Sequence, residues 1–114
     1  MVYDLRTFTV KSGRFSEYIE LHNKIAFPLL LKHLGEPFGY WASVTGEMNQ
    51  FVHVWRFDDF SDMERRQAAL GDDPAWRDYV INDLGKSAIL QRQQSMLMRP
   101  IEIPTGPSSW IAHR

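Results

Sequence analysis

Two histidines carry the strongest chemical signal in this chain. His22 falls on an apolar stripe running through Phe15, Tyr18, Ile19, Ile25, Ala26 and Leu29, and His53 stands between Phe51 and Trp55 in an alternating run. An imidazole titrates close to working pH, so a pair meeting in one aromatic-lined cavity could act as the base for a weakly acidic phenol or enol. His22 and His53 are therefore the candidate catalytic residues. The plainer alternative makes each a buried histidine satisfied by one backbone or side-chain partner, as buried polar groups normally are.

Candidate ligand contacts gather around the pair. Arg6 and Asp4 share one side of the first strand by alternation, so one can orient a ligand carboxylate while the other holds it in place. An ion pair with Arg92 or a neighbouring acid accounts for them as well. Tyr40 is the best aromatic hydrogen-bond donor to a ligand, because a buried tyrosine hydroxyl needs a partner, and Trp55 offers a pocket wall or a core ring. His33 is a further ligand candidate, although beside Leu34-Gly35 an imidazole can also cap the last carbonyls of a helix. Other machinery is missing from the sequence. With no cysteine, no glycine-rich phosphate loop, no Gly-x-Ser-x-Gly and no His-Glu-x-x-His spacing, nucleophile, phosphate and metal sites are not expected. The Arg65-Arg66 pair reads as a solvated helix face.

The elements that must position these residues follow from periodicity. Val2 to Val10 is a strand, closed by Lys11-Ser12-Gly13, and a helix carries the His22 stripe. Pro28 predicts a kink or a second short helix ending near Leu34-Gly35. Phe38 to Thr45 and Gln50 to Phe57 form a hairpin about Gly46-Glu47-Met48-Asn49. Ser61 with Glu64 predicts a capping box, and Asp73-Pro74 opens a second helical piece that stops near Gly85. Ile89 to Met98 is the last strand. The order strand-helix-strand-strand-helix-strand (βαββαβ) gives an α+β, ferredoxin-like split βαβ fold with an antiparallel sheet, strands one and three in its middle.

Residues 1–99 make one domain, which suits a chain of 114 residues that buries roughly two-thirds of its unfolded surface. Residues 100–114 are a tail broken by Pro100, Pro104 and Pro107, with Trp110 as its large anchor. Thirteen basic against fourteen acidic residues leave no field to attract nucleic acid or an anionic membrane, and no span is long enough to cross a bilayer. A cytoplasmic protein is expected. On strand three, Phe51, His53, Trp55 and Phe57 share one face and Val52 and Val54 the other, so both faces need cover. Helices cover one. A second copy covers the other, which predicts a homodimer, with a monomer capped by its own tail as the alternative.

Several ordered pieces also carry a resemblance. Tyr-Asp-Leu-Arg-Thr-Phe from Tyr3, Lys-His-Leu-Gly from Lys32, Gly-Tyr-Trp from Gly39, Gly-Glu-Met-Asn-Gln from Gly46, Val-His-Val-Trp from Val52, Arg65-Arg66, Pro-Ala-Trp from Pro74 and Arg99-Pro100 resemble the NIPSNAP family. That resemblance implies a dimeric α/β-barrel, two ferredoxin-like sheets closed on each other. Its superfamily includes cofactor-independent monooxygenases, haem-degrading enzymes and isomerases. The haem-degrading relatives place an axial histidine in the second helical region, and Ser61 to Leu84 contains none, so neither haem nor another cofactor is expected. With no transit segment and one domain, the chain resembles the short bacterial members. The functional expectation is a pocket between helices and sheet for a small aromatic ligand, used by a cofactor-independent oxygenase or isomerase. A non-catalytic dimeric interaction or scaffold module is the alternative, and whether the chain is an enzyme stays open between them.

Overall fold

Alternation of side chains along β1 (Val2–Val10) sends Asp4, Arg6 and Phe8 to one face and Tyr3, Leu5 and Thr7 to the other. In this computed structural model, which describes residues 1–102, β1 pairs antiparallel with both β3 (Gln50–Phe57) and β4 (Leu90–Met98), and β2 (Gly39–Ala42) pairs with β3. The order across the sheet is β2-β3-β1-β4, the ferredoxin-like arrangement with strands one and three central. The core lies on the helix side. One cluster joins Val2, Trp55 and Phe57 to Ala26, Leu30 and Leu34; a second joins Phe8, Val10 and Phe51 to Tyr18 and Ile89.

The first helical layer is α1 (Phe15–Leu21), a π-helical turn over His22–Ala26, and α2 (Phe27–Leu34). Pro28 explains the wide turn. It lacks an N–H and its ring crowds the carbonyl four residues back, so the chain widens before it and Phe27 N–H reaches the His22 carbonyl instead. The consequence is a buried stripe at four-residue steps: Tyr18, His22, Ala26, Leu30 and Leu34. In an α-helix such a stripe drifts by about 40° per step, and the wider turn slows that drift. Gly35, at φ 84°, ends α2.

Two sequence expectations are corrected here. The second strand stops at Ala42, not Thr45. Val44 is 85% exposed, so its β-branched side chain finds nothing to pack on, and the hairpin closes earlier through Ser43 N–H on the Gln50 carbonyl and Gln50 N–H on the Ser43 hydroxyl. The loop then passes Gly46 and Asn49 at positive φ. Helix α3 (Phe60–Asp72) is capped by Asp59, which accepts Asp62 N–H at 2.7 Å, while the Asp62 carboxylate accepts Asp58 N–H. Ser61 is already inside the helix. The expected Ser61–Glu64 box fails because β3 runs directly into the cap, two residues earlier than the serine. Asp73 does cap α4 (Pro74–Asp78), accepting Ala75 N–H, and a π-helical segment over Tyr79–Gly85 follows. Of the expected tail only residues 100–102 are described; Trp110 lies outside the described residues.

Arg66 does not stay in solvent as a free charge. Its Nη1 donates to the Leu34 carbonyl at 3.0 Å and its Nε to Asp62 at 2.9 Å, tying the end of α2 to the start of α3. The side chain is 37% exposed, so the charge pair itself is screened, and the main loss on removal is the bond to an otherwise open helix-end carbonyl. Arg66→Ala is expected to cost about 1 kcal/mol in urea unfolding, with Arg65→Ala, on a 71% exposed side chain, near zero.

Candidate functional site

The strand register builds the site as a row. Tyr40 on β2, His53 on β3, Arg6 on β1 and Ser95 on β4 stand directly opposite one another across the sheet, all on the helix side. Above this row, His22 comes down from the π-helical turn. Its Nε2 lies 3.2 Å from the Tyr40 hydroxyl, and its ring centroid is 5.7 Å from that of His53. The two histidines thus meet on the helix side, the condition under which they could share one cavity. Phe8 stacks on His53 from one side and Tyr40 from the other, at centroid separations of 5.0 and 5.1 Å.

Hydrogen bonding fixes the tautomer of His53. The indole N–H of Trp55, which can only donate, points at His53 Nδ1. Nδ1 is therefore an acceptor, and in the neutral ring the proton sits on Nε2. That Nε2–H is buried and, among the described residues, has no partner. Burial pushes the His53 pKa down to about 3, with the nearby His22 and Arg6 adding to the effect, and burial pushes His22 down to about 4. Both rings are neutral at ordinary pH. Burial raises the Tyr40 and Tyr18 hydroxyls well above the usual phenol range, so they too hold their protons.

A cavity of about 310 Å³ opens beside this cluster. His22, His53 and Arg6 line it, together with Phe8 and Tyr18 and, from the second helical layer, Leu70, Trp76, Tyr79 and Leu84. Arg6 enters from β1, 33% exposed, with its Nε 3.6 Å from the buried Asp4 carboxylate. Asp4 also accepts from the Ser95 hydroxyl and from Gln67 Nε2 at 3.3 Å. The pairing of Arg6 is thus with its own strand, while Arg92 pairs with Glu47 at the rim of the sheet.

The remaining candidates fall in different places. Tyr40 and Trp55 stand behind the two histidines, Tyr40 touching both and Trp55 touching His53. His33 is elsewhere: its Nε2 lies 2.7 Å from Asp73 Oδ2, joining α2 to the cap of α4, and it is not among the residues lining the cavity. Gln67 and Gln93 do line it and were not singled out from the sequence. Nothing in the pattern of β4 marks Gln93, because its facing depends on a register shift between Thr9 and Val10. Among the described residues no group of three His, Cys, Asp or Glu could hold a metal ion, and no helix is long and apolar enough to cross a membrane.

Residues 3–104 match the family model described as NIPSNAP. NipSnap homolog 3A of Homo sapiens is 30% identical over 95 residues, which is 82% of this chain and 36% of that protein. The chain therefore spans about a third of the length of that curated relative. Among solved structures, a NIPSNAP family protein of Agrobacterium tumefaciens matches with a TM-score of 0.77 at 30% identity, covering 88% of this chain and 87% of that one. An antibiotic biosynthesis monooxygenase matches with a TM-score of 0.60 at 12% identity, covering 90% and 100%, a likeness of fold alone.

Proposed function

The chain belongs to the NIPSNAP family, and on that premise we propose that it is a homodimer that takes a small aromatic-type ligand into the cavity between helices and sheet. The observation that carries this reading is His53, which lines a cavity large enough for a ligand and whose buried Nε2–H has no partner among the described residues. A buried donor left open costs about 1–3 kcal/mol, and a ligand oxygen would remove that cost. As an enzyme, the chain would act as a cofactor-independent oxygenase or isomerase. In that role His53 donates a hydrogen bond to a carbonyl or enol oxygen and His22, linked to Tyr40, is the proton acceptor, because the only other nitrogen of His53 already accepts from Trp55. The second reading, a non-catalytic dimeric module, draws on the weak basicity of both buried imidazoles. A cytoplasmic setting suits either, since the sequence contains no cysteine.

A thermal-shift screen with small aromatic compounds tests the pocket, and His53→Leu tests the donor. The variant removes one open donor, His53 Nε2–H, and creates another, Trp55 Nε1–H, so the two costs offset and the melting temperature should stay within about 5 °C of the parent. Binding of the first compound identified should be lost. A variant that melts far lower and still binds would make His53 a core residue.

A further inference from the structure

We propose that the ligand is a planar organic anion, a carboxylate or enolate on an aromatic body, whose negative oxygen lies between the Arg6 guanidinium and the Nε2–H of His53. This rests on the pocket reading above and adds the ligand's charge. Arg6 and His53 are directly opposite in the β1–β3 register, so their side chains leave the sheet side by side. Asp4 holds Arg6 by its Nε, at a distance beyond a good hydrogen bond, and leaves the two terminal nitrogens for a ligand. Asp4 does not itself line the cavity, and its carboxylate is shared with Ser95 and Gln67. Trp55 fixes the imidazole as a donor. The two groups at this wall thus offer only N–H donors, and among the described residues no Asp or Glu lines the cavity. After burial and the nearby His22, Arg6 is one of the causes that keep His53 unprotonated. Phe8, Leu30, Leu70, Trp76 and Leu84 supply apolar and aromatic walls for the rest of the molecule.

Titration calorimetry with 2-naphthoate and with the neutral, similarly shaped 2-naphthamide separates charge from shape. The anion is expected to bind at least about tenfold more tightly at low salt, and Arg6→Gln should bring the two to equal affinity while naphthamide binding persists. In the unaltered protein, nitrogen NMR of the histidine rings should show His53 as the Nε2–H tautomer, with that resonance moved by naphthoate. Equal binding of both probes, or a preference for naphthoate that survives Arg6→Gln, overturns the anion assignment and leaves the pocket reading standing. Binding of neither probe overturns both.

Discussion

Replacing Leu5 with arginine is expected to leave a folded chain and halve its mass by light scattering, from twice 13.3 kDa to 13.3 kDa. Leu5 lies at the centre of the sheet face turned away from the helices, directly opposite Val54 on β3 and Met96 on β4. Around it are Tyr3, Val52 and Trp41, with Trp41 51% and Met96 55% exposed. Trp41 lies flat enough over Gly39 that a Cβ there would sit 2.5 Å from its ring, so the indole covers β-sheet backbone and extends the apolar surface to the edge strand. A patch of this kind on a central sheet is what a second, two-fold related copy would bury, and an obligate interface of that type removes on the order of 2,000 Å² or more from water. An unpaired guanidinium at its centre opposes association far more than folding, because in the separated chain it remains in water. Val44→Arg, at an 85% exposed loop position, is the control and should leave the mass unchanged. A parent chain that is monomeric at low micromolar concentration, or a Leu5→Arg chain that stays dimeric, would sink the interface.

What was legible in the sequence is what periodicity determines. The two-residue alternation of β3 and the apolar stripe of the first helical layer put His53 and His22 each on an apolar face, from which they could meet if both faced the helix side, and Pro28 marked the place where the helix changes its turn. What the sequence hid depends on register and on competition between caps. Arg6 opposite His53 follows from the β1–β3 pairing, and Gln93 opposite Phe8 from the β1–β4 pairing, which includes an irregularity between Thr9 and Val10. Asp59 and Ser61 are both good capping residues, and the structure uses Asp59, whose carboxylate accepts the Asp62 N–H. The tautomer of His53 was hidden too. It comes from one neighbour on the same strand face, Trp55, read from the sequence as a pocket wall or a core ring and acting in the structure as a hydrogen-bond donor.

The largest solution effect expected from the site itself is a loss of stability as pH falls from 7.5 to 5. In the unfolded chain both imidazoles titrate near 6.5, whereas in the folded protein burial holds His22 at about 4 and His53 at about 3. Between those limits the unfolded state binds protons that the folded state refuses, so stability rises with pH and is lost as pH drops below 6.5. At pH 5 each imidazole contributes on the order of 2 kcal/mol of that loss, about 4 kcal/mol for the pair, and because their rings are in contact the figure belongs to the two together. Carboxylates add a loss of the same sign but in a lower window. Asp62, held below the usual range by the Asp58 N–H and then Arg66, and Asp73, held down by His33 and the Ala75 N–H, weaken the fold only as they protonate, below about pH 4. Urea unfolding measured every half unit from pH 7.5 to 5 isolates the histidines. The double variant His22→Phe with His53→Leu should flatten most of the slope in that range, and a slope that persists unchanged in it would assign the acid sensitivity to other groups and leave the two imidazoles less buried than the cavity geometry places them.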